Sequence, residues 1–229
     1  MKSIKSLFSI SLVLTSFAFF SCQSDSSGSN TNNPQPSNDY WPTAISNSWT
    51  YQQNGINLPP TKIVGTETIG GNPYFKFAPQ LNSGYTITTY VRKSGGAYYL
   101  KTSDATFTSQ GISGTQTGFE YIILKDNLLV DETWEGSYDQ TTTYSGYPPV
   151  VQSTTYSGTI LAKDVTEIIN NVTYPNVIKL NLHQETSSPG SLAIVNTEYW
   201  FAKNIGVIYS KTYSGSGIYT TTLINHTFY

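Results

Sequence analysis

The 229-residue chain is short of most residue types that usually carry chemistry. It holds one cysteine (Cys22), one arginine (Arg92), one methionine and two histidines (His183, His226), and only 11% of its residues are charged. Ordinary soluble domains carry about 25% charged residues. A lone cysteine excludes an internal disulfide, so the fold rests on sheet hydrogen bonds and core burial. Two histidines outside any H-E-x-x-H spacing point away from a histidine metal site, and no cofactor is expected. The G-x-S-x-G elbow of hydrolases is missing, because Gly111-Ile112-Ser113-Gly114-Thr115 lacks the last glycine. A net charge of −2 with a solitary arginine leaves no electrostatic footprint for nucleic acid. Long apolar runs are absent as well, with one exception near the start.

That exception spans Leu7 to Phe20, follows Lys2 and Lys5, and ends in Ser21-Cys22. A positive start, a short apolar stretch and a small residue before a cleavage point describe an export signal. Serines interrupt the run, and it is shorter than the ~20 apolar residues a membrane span needs. With the only cysteine at the cleavage point, the segment resembles a bacterial lipoprotein signal. Phe19 and Phe20 stand where that family usually has an aliphatic residue and a small one. The resemblance implies that residues 1–21 are removed and that Cys22 becomes a lipidated N-terminus, making the membrane a partner. Loss of Lys2 and Lys5 leaves ten basic against fourteen acidic residues, a net charge of −4. The residue after Cys22 is Gln23, without the aspartate of inner-membrane retention, which favours the outer membrane and leaves its face open. Residues 22–39, rich in Ser, Asn and Pro, cannot bury a core and are expected to form a disordered tether.

Residues 40–229 show no sustained helical period. Short runs of Thr, Tyr, Val and Ile recur between turn signals such as Asn54-Gly55, Gly70-Gly71, Gly95-Gly96 and Asn170-Asn171. Alternation puts Ile178, Leu180 and Leu182 on one face, with Lys179, Asn181 and His183 on the other. Trp200 opposes Tyr199 and Phe201 in the same manner. The pattern predicts an all-β domain, a single antiparallel meander of about 11–12 strands curved into a half-barrel or lipocalin-like shape. Residues 102–118 read as the one long turn-rich gap.

Two segments carry a further resemblance. Tyr40-Trp41-Pro42 with Asn47-Ser48-Trp49-Thr50-Tyr51, and Glu198-Tyr199-Trp200-Phe201-Ala202-Lys203-Asn204-Ile205-Gly206-Val207-Ile208, resemble matching parts of a loose group of bacterial envelope lipoproteins. The first segment lacks the glycine usual there. The group is similar to the half-open β-barrels of lipoprotein carriers and lipocalin-like domains. The resemblance implies a curved sheet with one greasy concave face; most members have no assigned activity.

Candidate chemistry is sparse. Asp131-Glu132-Thr133-Trp134-Glu135 is the densest acidic cluster. Paired carboxylates beside a tryptophan suit glycoside hydrolysis, while a charged strand edge that discourages aggregation accounts for the same residues. The chain is therefore expected not to be an enzyme. Aromatic residues make up 14% of it. Cross-strand pairing accounts for most of them. Trp49, Tyr51, Tyr98, Trp134, Tyr199 and Trp200 are the candidates for a concave groove that takes a lipid, an apolar molecule or a glycan. The alternative is a structural or adhesive surface lipoprotein with no small-molecule pocket. An integral outer-membrane barrel fits poorly, because Thr86, Thr88, Thr220 and Thr222 recur where lipid-facing positions should be apolar.

Overall fold

The structure, a computed structural model, describes residues 39–82, 85–109 and 112–229. The expected export signal (residues 1–21), the expected lipidation at Cys22 and, apart from Asp39, the expected tether (residues 22–39) lie outside the described residues.

Seventeen strands and no helix are seen among the described residues. The first half holds β1 (Ser48–Gln53), β2 (Ile56–Asn57), β3 (Thr61–Ile69), β4 (Asn72–Phe77), β5 (Gln80–Asn82), β6 (Tyr85–Ile87), β7 (Thr89–Ser94), β8 (Ala97–Thr102), β9 (Ala105–Ser109), β10 (Ile112–Gln116) and β11 (Glu120–Lys125). The second half has fewer and longer strands: β12 (Thr133–Tyr144), β13 (Val150–Ile169), β14 (Val172–Ser188), β15 (Ser191–Ala202), β16 (Gly206–Ser214) and β17 (Gly217–Thr227). Fifteen strands form one antiparallel sheet, in the order β11-β8-β7-β4-β3-β1-β17-β16-β15-β14-β13-β12-β10-β9, with β2 beside β1. The hydrogen-bonded path is not closed, and β5 and β6 form a separate pair.

The expected all-β antiparallel meander is therefore the observed architecture, but the count of 11–12 strands is low. The missed elements are short and polar, and strands of two to five residues show too little alternation to be read. The gap at 102–118 contains the β9–β10 hairpin, with Gly114 paired to Phe107. The stretch from Tyr85 to Lys93 is divided between β6 and β7, which belong to different sheets.

Turn chemistry explains the hairpins. Asn54 and Gly55 have φ of 47° and 85°, Gly70 and Gly71 57° and 80°, Gly95 and Gly96 57° and 83°, Asn170 and Asn171 51° and 64°. Two successive residues with positive φ define the two-residue turn whose twist matches the flanking strands. Glycine and asparagine reach that region at the least steric cost.

The long β13–β14 hairpin is bent by irregular pairing near Ile160, Ala162 and Val165, with Asp164 at φ 56°. Bulges of this kind bend a strand and increase its twist. The bend divides the core in two. One cluster packs Tyr98, Leu100 and Ile123 of β8 and β11 against Trp134, Ile160, Leu180 and Phe201. The other gathers Trp49, Ile63, Phe77, Val91, Val177, Ile208 and Leu223. The sheet thus curls back over its own inner face. Buried Ile178, Leu180 and Leu182 beside partly exposed Lys179, Asn181 and His183 follow the alternation expected of β14.

The curl is held where edge strand β11 meets β12 and β13. Both main-chain groups of Ile122 go to side chains: its N–H donates to the Tyr156 hydroxyl at 3.2 Å, and its C=O accepts from the Trp134 indole at 3.0 Å. Both rings lie across a glycine on the neighbouring strand, because Trp134 pairs with Gly158 and Tyr156 with Gly136. A Cβ on Gly158 would stand 2.1 Å from the Trp134 ring, and one on Gly136 would stand 2.4 Å from the Tyr156 oxygen. Glycine is required at both positions by the space the rings occupy. Forcing a methyl group into a packed core costs about 1–3 kcal/mol. Gly158→Ala and Gly136→Ala should each lower stability by about that amount in a denaturant titration. Gly65→Ala, where a Cβ meets nothing within 4 Å, should leave it unchanged or raise it by about 0.4–1 kcal/mol.

Candidate functional site

The inner face of the curl leaves a cleft of about 70 Å³. Its floor is apolar, with Trp41, Trp49, Phe77, Leu100, Ile123 and Tyr199, and its walls carry Gln53, Thr61, Gln80, Thr89, Ser210, Thr212 and Thr221. No charged residue lines it. Alternation along the strands sets this up: apolar and neutral polar residues point inward, and the charged ones stay on the outer face.

Part of the polar wall is occupied with itself. Gln53 donates to the Thr221 hydroxyl at 3.2 Å, and the Thr197 and Thr212 hydroxyls pair at 3.0 Å. The Thr61 Oγ1 is buried and has no hydrogen-bond partner. Pockets for drug-sized ligands measure about 300–1,000 Å³, so this cleft is much smaller than a lipid or sugar site. A few waters fit it, since one needs only about 10–15 Å³.

The six aromatic candidates do not form one groove. Trp49, Tyr51 and Tyr199 line the cleft. The Trp49 indole donates to the Ile205 carbonyl at 2.6 Å, and the Tyr51 hydroxyl donates to that of Val207 at 3.1 Å. Gly206, at φ 104°, lies between them, and a Cβ there would be 3.2 Å from the Trp49 nitrogen. The two segments that carried the family resemblance are therefore one contact, with the aromatic start of the domain seated on the β15–β16 turn. Tyr98 lies elsewhere, accepting from the Tyr40 N–H at 2.8 Å and donating to Asp126 at 3.1 Å. Trp134 is buried at the β11 edge.

Trp200 stands on the outer face. It is flanked by Lys179, whose ammonium lies 3.9 Å from the ring centroid, and by Tyr209, with centroids 4.4 Å apart. Lys179 and Tyr209 are its partners on β14 and β16, one on each side. Both faces of the indole are thus taken, and neither is left for a sugar ring to stack upon.

Burial keeps the inner phenols neutral. It pushes Tyr199 up to about 12 and Tyr138 up to about 12, and drives Tyr121 well above its ordinary value, aided by neighbouring tyrosines. The acidic cluster does not assemble a carboxylate pair. Glu132 accepts from the Leu129 N–H at 2.7 Å and closes a turn, while Asp131 and Glu135 are exposed. No group of three or more His, Cys, Asp or Glu side chains among the described residues is placed to hold a metal. Arg92 bridges strands, with Glu120 at 3.0 Å, the Tyr74 hydroxyl at 2.9 Å and the Tyr99 ring centroid at 3.6 Å. Neither the cleft nor its unpartnered threonine was legible in the sequence, because both depend on strands far apart in the chain.

No family model and no curated protein matches the chain. A solved structure described as "a putative lipoprotein from Parabacteroides distasonis ATCC 8503" aligns with 84% of this chain and 100% of its own, at 11% identity and a TM-score of 0.43. A likeness that distant carries no argument about what this chain does. Fold and site together define an all-β protein with an open, curled antiparallel sheet and an uncharged inner cleft.

The two histidines should titrate apart. The His183 nitrogens face Asn196 Oδ1 at 2.7 Å and Glu185 Oε1 at 3.1 Å, and these bonds, Asn196 first, raise its pKa above 6.5. Burial lowers that of His226 below 6.5. The stabilisation from His183 is complete below its unfolded value and lost as pH rises through the raised folded one. That from His226 is present above its unfolded value and lost as pH falls through the depressed one. NMR titration of the rings should give two midpoints on opposite sides of 6.5; coincident midpoints would contradict these environments.

Proposed function

We propose that the chain is an exported, lipid-anchored envelope protein whose sheet domain acts as a structural or adhesive surface module without catalysis. The observation that carries the proposal is Lys2 and Lys5, the apolar run to Phe20 and the sole cysteine at position 22. An exported chain with one thiol has no disulfide partner for it, and acylation removes the free sulfur. Gln23 after the cysteine favours the outer membrane, and kinship with the half-open barrels of lipoprotein carriers belongs to the same reading. The small cleft and the commitment of the aromatic residues to the core favour the structural role over a lipid or glycan held in that cleft.

A full chain bearing Cys22→Ser should lose incorporation of a labelled fatty acid and move from the membrane pellet to the soluble fraction. Unchanged partitioning would overturn the anchor.

One observation favours a second reading, in which the cleft holds a small neutral molecule: the buried Thr61 hydroxyl without a partner in a wall free of charge. Native mass spectrometry of the full chain decides between the two. The structural reading expects no mass beyond the polypeptide and its acyl groups. An adduct that disappears in Thr61→Val would establish the second.

A further inference from the structure

We propose that the turn between β11 and β12 is a membrane-contact surface, its Leu129 and Val130 side chains seated in the interfacial region of the bilayer that holds the lipid anchor. The proposal rests on the anchored reading above and adds which face of the domain meets the lipid.

Turns are normally built from Gly, Pro, Asn, Asp and Ser, yet this one reads Asp126-Asn127-Leu128-Leu129-Val130-Asp131-Glu132. Leu128 is partly buried against the core. Leu129 and Val130 are 65% and 46% exposed, and Leu161 on neighbouring β13 is 46% exposed. The backbone that presents them is held firmly. Lys163 donates to the carbonyls of Asp126 and Leu128, both at 2.9 Å, Leu129 N–H donates to Glu132, and Asp131 N–H donates to the Ile160 carbonyl at 2.8 Å. The aliphatic pair is thus displayed on a rigid turn that has no packing use for it.

Its position relative to the chain's exit identifies the occupant. Asp39 follows Cys22 by seventeen positions, a reach of at most about 60 Å. The domain begins beside this turn: Lys93 binds Asp39 at 2.5 Å and Asp126 at 2.7 Å, and Asn204 N–H donates to the Asp39 carbonyl at 2.7 Å. Leu129 follows Asp126 by three residues, which places its Cα within roughly 11 Å of the Asp126 Cα. By contrast Leu192, 62% exposed, lies at the far end of β15, ten residues from Ala202 and about 33 Å along the strand.

Two aliphatic side chains bind a bilayer weakly by themselves. Tethering converts the contact into an intramolecular one at high effective concentration. The turn carries Asp131 and Glu132, and the Lys163 ammonium is occupied by carbonyls, so the contact is apolar and does not depend on anionic lipid or salt.

The test uses the full acylated chain in vesicles of phosphatidylethanolamine and phosphatidylglycerol, and in vesicles of phosphatidylcholine. Leu129→Cys and, separately, Leu192→Cys carry a thiol-linked polarity-sensitive fluorophore, while acylated Cys22 takes none. The expected result is a blue-shifted emission at position 129, quenched by brominated acyl chains in both vesicle types and at high salt, with position 192 remaining aqueous. Water-like emission at 129 in protein that floats with the vesicles would overturn the contact and leave the anchor standing. Failure to float, or a second label on Cys22, would overturn the anchor and the contact with it.

Discussion

The bonds from Trp134 and Tyr156 to the Ile122 peptide turn an open sheet into a closed core. Without them β11 would be an edge strand with an unpaired N–H and C=O facing solvent, a template for pairing with other chains. Two side chains take the place of the absent neighbouring strand. They reach it because each lies flat over a glycine of the adjacent strand, so Gly136 and Gly158 are as necessary to the closure as the rings. Aromatic packing then continues outward from the junction: Phe119 stacks on Tyr138 at 4.7 Å, and Tyr121 meets Tyr156 edge-on at 5.8 Å.

Closure by side chains has an electrostatic consequence. The interior it creates contains phenols and neutral hydroxyls, with threonine pairs such as Thr154 and Thr186 joined across strands at 2.9 Å. Charges are confined to the outer face and to the rim, where Lys93 serves Asp39 and Asp126 together. Charged side chains are therefore kept out of the inner cleft. The aromatic residues that suggest a binding groove are largely spent on holding the sheet in its curled form.

The same rim brings together the start of the domain, the β15–β16 turn and the β11–β12 turn. Asn204 accounts for one link and Lys93 for another. A bilayer contact at the β11–β12 turn, as proposed, would set the domain with that rim toward the membrane and the β14–β15 hairpin away from it.

Much of the local structure was readable from the chain alone. Period-two alternation gave the buried face of β14, and Asn54-Gly55 and Gly95-Gly96 marked tight hairpins, because side-chain direction and turn φ are decided within a few residues. The apolar run up to Phe20 and the cysteine that follows it are legible for the same reason. Short strands such as β9 and β10 were not, since they owe their existence to pairing with each other and, through β10, with β12 and not to their own composition. The pairing of β1 with β17, joining Ser48 to Thr227, is equally invisible in a linear reading. So are the size of the cleft and the fate of each aromatic ring, for they depend on which distant strands come face to face. Sequence determined which residues point inward; only the curl of the sheet decided how little room they leave.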